Sequence, residues 1–217
     1  MTWTEKYRPT CLDEVVGQEK VVSYFKRCLQ TGDIDHCIFT GKSGTGKTTM
    51  VKVIANEFGK QVIKFSPSDI NKRGKDFVHD DVIPAMRHLS IDGGWKLIFI
   101  EECETLSRQA QEELRTPLED YSHIAKVIFA CNDDSSIIPA IKSRCILFTF
   151  LPISTPDMKK RLQVIIDNEG IVIDETDLDT ICEKSHGDLR KAINLLKAYH
   201  NNALEFKDEF SKLFMRG

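Results

Sequence analysis

Five short runs along the chain are almost wholly apolar: Cys37-Ile38-Phe39-Thr40, Val62–Phe65, Leu97–Ile100, Val127–Cys131 and Ile146–Phe150. Nearly all-apolar runs of this length predict strands covered on both faces. Between them, apolar residues recur at helical spacing over about 18–31, 46–58, 75–90 and 107–120. Strand–helix alternation predicts a parallel sheet in an α/β domain. After Phe150 the pattern changes. Leu151-Pro152-Ile153-Ser154-Thr155-Pro156 carries two prolines and reads as a linker. Beyond it no strand pattern recurs. Helical patterns cover about 155–168, 175–185 and 188–203, with Asp188 placed to cap the last. The expected organisation is an α/β domain over 1–152 and a small helical domain over 153–217. No internal repeat or low-complexity segment is visible.

The chain has 217 residues, 41% hydrophobic and 29% charged, as in ordinary globular proteins. No apolar run reaches the roughly 18 residues of a membrane span. The start, MTWTEKYRPT, lacks the apolar core of a signal peptide, so a cytosolic protein is expected. Seven cysteines are scattered, none in a C-x-x-C pair, which speaks against a zinc site or a disulfide framework. The net charge is −3. Binding to a nucleic-acid backbone would need a local basic patch, or several subunits lining one surface.

Chemistry enters at Gly41-Lys42-Ser43-Gly44-Thr45-Gly46-Lys47-Thr48, which fits G-x-x-x-x-G-K-[ST] between a strand and a helix. Glycines let backbone N–H groups close around phosphate oxygens, and the helix N-terminus adds partial positive charge. Lys47 is expected at the β- and γ-phosphates of ATP and Thr48 at Mg²⁺, with Thr49 beside them. The third strand ends in Glu101 and Glu102. In nucleotide hydrolases of this kind a second strand ends in an acid on the Mg²⁺ side, and an adjacent acid polarises the attacking water. Glu101 takes the first place and Glu102 the second. Glu104 reads as a solvated residue on the approach to the next helix.

Further segments, in order, resemble the small ATPase subunits of sliding-clamp loaders in the AAA+ superfamily, of the replication-factor-C and T4-like phage types. They are Trp3-Thr4-Glu5-Lys6-Tyr7-Arg8-Pro9, Asp13-Glu14-Val15-Val16-Gly17-Gln18, Ala130-Cys131-Asn132, Ser143-Arg144-Cys145 and Gly187-Asp188-Leu189-Arg190. The resemblance covers essentially the whole chain. It implies a P-loop AAA+ domain with a five-stranded parallel sheet, followed by an α-helical lid. It implies that Tyr7, Arg8, Pro9, Val15 and Val16 enclose the adenine, and that Asn132 is the sensor that helps position water. Arg144 becomes a finger reaching the γ-phosphate of a neighbouring subunit, and Arg190 a second sensor contacting it from the lid. Gln111 and Arg115 are implied to relay DNA and clamp status, although Thr116-Pro117 departs from the family pattern and Pro117 is expected to kink or end that helix. Lys72, Arg73 and Lys75 are implied DNA contacts. Ile83, Met86 and Leu89 stand either on the clamp or in the core. The metal-side acid of the family is Asp, so Glu101 carries one methylene more.

The resemblance thus implies an ATP hydrolase at the site of DNA replication, in cytoplasm or nucleus. Its partners would be other clamp-loader subunits, in some five ATPase-type positions, a ring-shaped sliding clamp and primer–template DNA, with no membrane. The family also carries a helical collar domain, which is expected to be lacking from a chain that ends at Gly217. Two other readings stay open: a hydrolysis-weak, nucleotide-dependent structural subunit, prompted by Glu101, and another AAA+ DNA-remodelling motor.

Overall fold

The computed structural model describes residues 1–73, 76–90 and 94–201, and the side chains of all of these except 71–73. They fall into two compact units, Pro9–Leu151 and Met1–Arg8 with the chain from Pro152 onward. The first eight residues thus group with the helical segment, whereas the apolar pattern assigns them to the α/β domain. None of the described helices is long and apolar enough to cross a membrane.

The strands are β1 (Cys37–Thr40), β2 (Val62–Phe65), β3 (Lys96–Ile100), β4 (Ala125–Cys131) and β5 (Ile146–Thr149). The helices are α1 (Trp3–Lys6), α2 (Glu19–Thr31), α3 (Lys47–Glu57), α4 (Pro67–Arg73), α5 (Ile83–Arg87), α6 (Arg108–Glu113), α7 (Arg115–Asp120), α8 (Pro139–Lys142), α9 (Thr155–Glu169), α10 (Glu175–Ser185) and α11 (Leu189–Asn201). All strands pair in parallel, in the order β2-β3-β4-β1-β5.

Successive residues of a strand point to opposite faces, and the packing obeys this. Cys37, Phe39, Leu97, Phe99, Ile128 and Ala130 join Phe25, Met50 and Ile54 on one side. Ile38, Ile98, Ile100, Val127 and Phe129 join Met86, Leu114 and Leu118 on the other. Burial on both faces therefore holds for the three central strands. The edge strands β2 and β5 are only partly covered. His36, just before β1, is buried; its Nε2 donates to the Leu118 carbonyl at 2.8 Å and its Nδ1 accepts from the Val127 N–H at 2.9 Å. This arrangement needs the neutral ring, and burial lowers the pKa of His36.

Three local departures have physical causes. Residues 67–73 form a helix that the apolar pattern does not announce. The Ser66 N–H donates to the Asp69 carboxylate at 2.8 Å, and Pro67 occupies the first position. The span 107–120 divides at Leu114 into α6 and α7. Pro117 lies in the first turn of α7, where the missing N–H has no helical acceptor to lose. Around Val78–Val82 the chain is a π-helical turn running into α5. There Ile83 and Met86 are core residues and only Leu89, 70% exposed, faces solvent. A clamp-docking role for Ile83 and Met86 is excluded by their burial.

The helical unit packs α9, α10 and α11 with α1. Ser154 and Asp174 cap α9 and α10, and Asp188 accepts the Lys191 N–H at 2.9 Å at the head of α11. Trp3 is buried, with its ring 5.7 Å from that of His200. Gly187 sits so close to Pro152 and Ile153 that a side chain there would overlap them.

Candidate functional site

The loop between β1 and α3 turns on Gly41, Gly44 and Gly46, with φ of 144°, 77° and 103°. Gly41 has a second reason to be glycine, since a Cβ would run into the Phe150 carbonyl. The Lys47 ammonium donates to the carbonyls of Gly41 and Lys42, the latter at 3.0 Å. The Thr45 hydroxyl donates to the Lys42 carbonyl at 2.8 Å. Lys42 and Ser43 are exposed, and Gly44, Gly46, Thr48 and Thr49 are half-buried. Beneath them lies Gln18, 5% exposed, a residue to which sequence reasoning gave no separate role. Its Nε2 donates to the Thr45 carbonyl at 3.2 Å and to the Leu151 carbonyl at 2.8 Å. One buried amide thus holds the loop against the end of the unit.

The acids follow β3, the strand second from β1 across β4. Glu101 accepts the Thr48 hydroxyl at 2.9 Å and pairs with the Lys64 ammonium at 2.7 Å. The longer glutamate arm therefore reaches the phosphate loop directly. Lys64 was missed by sequence reasoning; its signal is a lone charge inside the apolar run of β2. Glu102 is exposed and bends the backbone at φ 49°, ψ 48°. That left-handed conformation costs a non-glycine residue roughly 1–2 kcal/mol. Among the described residues its carboxylate has no partner. Thr48 and Glu101 offer a hydroxyl and a carboxylate, hard oxygen donors that fit Mg²⁺. No cluster of three or more His, Cys, Asp or Glu suited to a metal occurs among the described residues.

Glu104 corrects the sequence reading. Its Oε1 accepts both the backbone N–H of Asn132, at 3.1 Å, and the Nδ2 of Asn132, at 2.8 Å. Its Oε2 is buried with no hydrogen-bond partner. It is a fixed part of the site's edge, not a solvated residue. Below it Cys103 and Cys131 are buried free thiols. The pKa of Cys103 is raised, first by its hydrogen bond to Cys131 and then by burial.

Gln111 is 3% exposed. Its amide nitrogen donates to the carbonyls of Leu106 at 3.2 Å and Ser136 at 3.1 Å, and its oxygen accepts the Ile138 N–H at 2.9 Å. It ties α6 to the segment after β4. Arg115 lies on the surface, 3.6 Å from Glu112. Arg144 is far from its own phosphate loop. Ile146 is level with Cys37 in the sheet. Arg144 lies in the turn before Ile146, whereas Gly41 follows Cys37 by four residues, so the loop starts at least about 13 Å further along the strands at ~3.3 Å per residue. Its guanidinium donates to the Ala140 carbonyl at 2.8 Å and pairs with Glu119 at 2.7 Å.

The expected adenine residues divide between the units. Pro9, Val15 and Val16 belong to the α/β unit and are half-buried. Tyr7 and Arg8 belong to the helical unit, where the Tyr7 hydroxyl donates to Glu169 at 2.7 Å and the Tyr7 carbonyl accepts from Arg161 at 2.6 Å. Arg190 is exposed in the first turn of α11. Lys75 lies outside the described residues, as do the side chains of Lys72 and Arg73.

Known proteins resemble this chain. The family described as ATPase family associated with various cellular activities (AAA) matches residues 37–153, and the RCF1/5-like AAA+ ATPase lid domain matches residues 160–199. The replication factor C small subunit of Archaeoglobus fulgidus is 41% identical over 201 residues, covering 90% of this chain and 62% of the relative. That of Picrophilus torridus is 37% identical over 202 residues, covering 90% and 63%. The chain thus spans less than two thirds of the length of these relatives. Among solved structures, the Thermotoga maritima RuvB Holliday junction branch migration motor superposes with a TM-score of 0.78 at 23% identity, over 93% of this chain and 67% of that one. This is a likeness of fold. The sheet, the glycine loop and the extent of the match agree with one another: the chain belongs to the AAA ATPase family, and its likeness to replication factor C small subunits runs through both of its units.

Proposed function

We propose that the chain is the ATP-hydrolysing part of a sliding-clamp-loader subunit, coupling nucleotide turnover to opening a ring clamp and loading it on primed DNA. The observation that carries the ATP-hydrolysing part of this reading is the 2.9 Å hydrogen bond from Thr48 to Glu101, which joins the phosphate loop to the acids after β3, while the likeness to replication factor C small subunits supports the clamp-loading part. Lys47 and the loop N–H groups bind the β- and γ-phosphates. Thr48 and Glu101 would hold Mg²⁺, which when bound offsets the phosphates' charge. Glu102, exposed and unpartnered beside them, takes a proton from water. The water oxygen bonds to the γ-phosphorus, and the bond to the bridging oxygen breaks with its electron pair leaving on ADP.

Arg144 serves a neighbouring subunit. Its place at the far end of the sheet supports this, because it cannot reach its own loop. An arginine there stabilises charge on the transferred phosphoryl group. Arg190, Tyr7, Arg8, Pro9, Val15 and Val16 complete nucleotide contacts, and Gln111 links the acids' helix to the segment after Asn132. Lys72, Arg73 and Lys75 contact DNA. The Lys64–Glu101 pair favours a second reading, a subunit that binds ATP but turns it over weakly. Phosphate release with primed DNA and clamp separates the two. Arg144→Ala is expected to abolish stimulated release while ATP affinity stays nearly intact. Parent-rate turnover in that variant defeats the trans assignment, and no stimulation in the parent favours the structural subunit.

A further inference from the structure

Asn132 and Glu104 form a unit whose geometry bears on the attacking water. Ile100 is level with Phe129 in the sheet. Glu102 therefore stands level with the end of β4, one residue before Asn132. The left-handed bend at Glu102 throws the chain into the turn Cys103–Thr105, closed by the Thr105 N–H and hydroxyl on the Glu102 carbonyl at 3.0 and 2.8 Å. That turn carries Glu104 onto Asn132. One strained residue thus sets both the exposed acid and the carboxylate that grips the neighbouring amide.

A carboxylate only accepts hydrogen bonds, so it fixes which end of the Asn132 amide faces it. The Nδ2 group is held at 2.8 Å, and the backbone N–H of the same residue is held by the same oxygen at 3.1 Å. The amide cannot flip without losing the first of these. Its Oδ1, which only accepts, has no protein partner among the described residues. The orientation matters chemically. Water attacking phosphorus must keep a lone pair free toward it. An Asn132 oxygen and the Glu102 carboxylate would together take the two water hydrogens and leave that lone pair available. A reversed amide would donate to the lone pair and compete with attack.

We propose that Glu104 is a positioning residue for hydrolysis, acting through Asn132 by fixing its amide oxygen as the group offered to the water. The proposal rests on the ATPase reading above. Glu104→Ala lowers kcat by on the order of 10²-fold, the usual scale for a misplaced group, with ATP Kd moving less than about threefold. Glu104→Gln, which keeps an acceptor oxygen, recovers at least about tenfold of that loss. In an Asn132→Ala background Glu104→Ala has no further effect. The assays use the whole chain with clamp and primed DNA. Parental kcat in Glu104→Ala, or an equal loss with and without Asn132, overturns the proposal. A parent that releases no phosphate defeats the ATPase reading instead. NMR of the Asn132 side-chain amide then decides the coupling independently: its signals shift in Glu104→Ala if Glu104 holds it, and unchanged signals overturn the pairing.

Discussion

Replacing Gln18 with alanine removes two hydrogen bonds with one substitution, and the consequences can be worked out. Each bond contributes about 1 kcal/mol net. The two carbonyls left behind differ. That of Leu151 belongs to an exposed residue and can be rehydrated, whereas the bond to Thr45 is buried. An orphaned buried acceptor costs about 1–3 kcal/mol. The sum is roughly 2–4 kcal/mol lost from the α/β unit. With a urea slope of about 2 kcal/mol/M, its unfolding midpoint should fall by about 1–2 M. The loss falls on the phosphate loop, so ATP affinity should weaken by about tenfold, or ~1.4 kcal/mol. Urea unfolding followed by fluorescence, and titration with a fluorescent ATP analogue, measure the two effects. Gln18→Glu should be no better, because it has similar size but brings a carboxylate against two carbonyl oxygens. If Gln18→Ala unfolds within about 0.2 M of the parent and binds nucleotide as tightly, the amide is not what holds the loop.

Two further outcomes concern the same unit. Gly41→Ala forces a Cβ into the Phe150 carbonyl, while Gly46→Ala meets nothing within 4 Å and carries only backbone strain of roughly 1–2 kcal/mol; thermal melts should therefore rank the Gly41 variant as the less stable, and the reverse order refutes the steric argument. Burial lowers the His36 pKa below its ordinary 6.5, so on acidification the unfolded chain takes up this proton first. The contribution is whole above that value and declines as pH drops through it toward the folded-state pKa. Urea midpoints against pH should show a slope that is missing in His36→Gln, whose amide can copy the neutral ring's donor and acceptor; an unchanged slope would count against the assignment.

Much of this architecture was legible because the signals were local. The runs of β1 and β2 are almost wholly apolar, broken in β2 only by Lys64, and their bounds match the strands. The G-x-x-x-x-G-K-[ST] spacing marked its own loop. What escaped depended on residues distant in sequence. Glu104 looked solvated because its partner Asn132 is 28 residues away and reaches it only through the bend at Glu102. Lys64 looked incidental until β2 was placed beside β3. Gln18 carries no motif, and its role exists only once the loop folds over it. One miss was avoidable. Ser66, Pro67 and Asp69 form a helix-start signature for α4, hidden because the segment lacks an apolar stripe.

Trp3 makes its ring contact with His200, almost the whole described chain away. The ribosome therefore delivers the two halves of one hydrophobic contact on either side of the α/β unit. The arm Met1–Arg8 emerges before that unit, and α11 emerges after all of it. Until then the indole has only the neighbouring Tyr7 ring of its own arm, at 6.4 Å, and lacks the α11 side of its pocket while the sheet forms. Completion of the helical unit thus comes later than synthesis of the sheet, and any nascent fragment that stops short of about residue 200 lacks the α11 half of the Trp3 packing. An order of assembly is written into where one tryptophan docks.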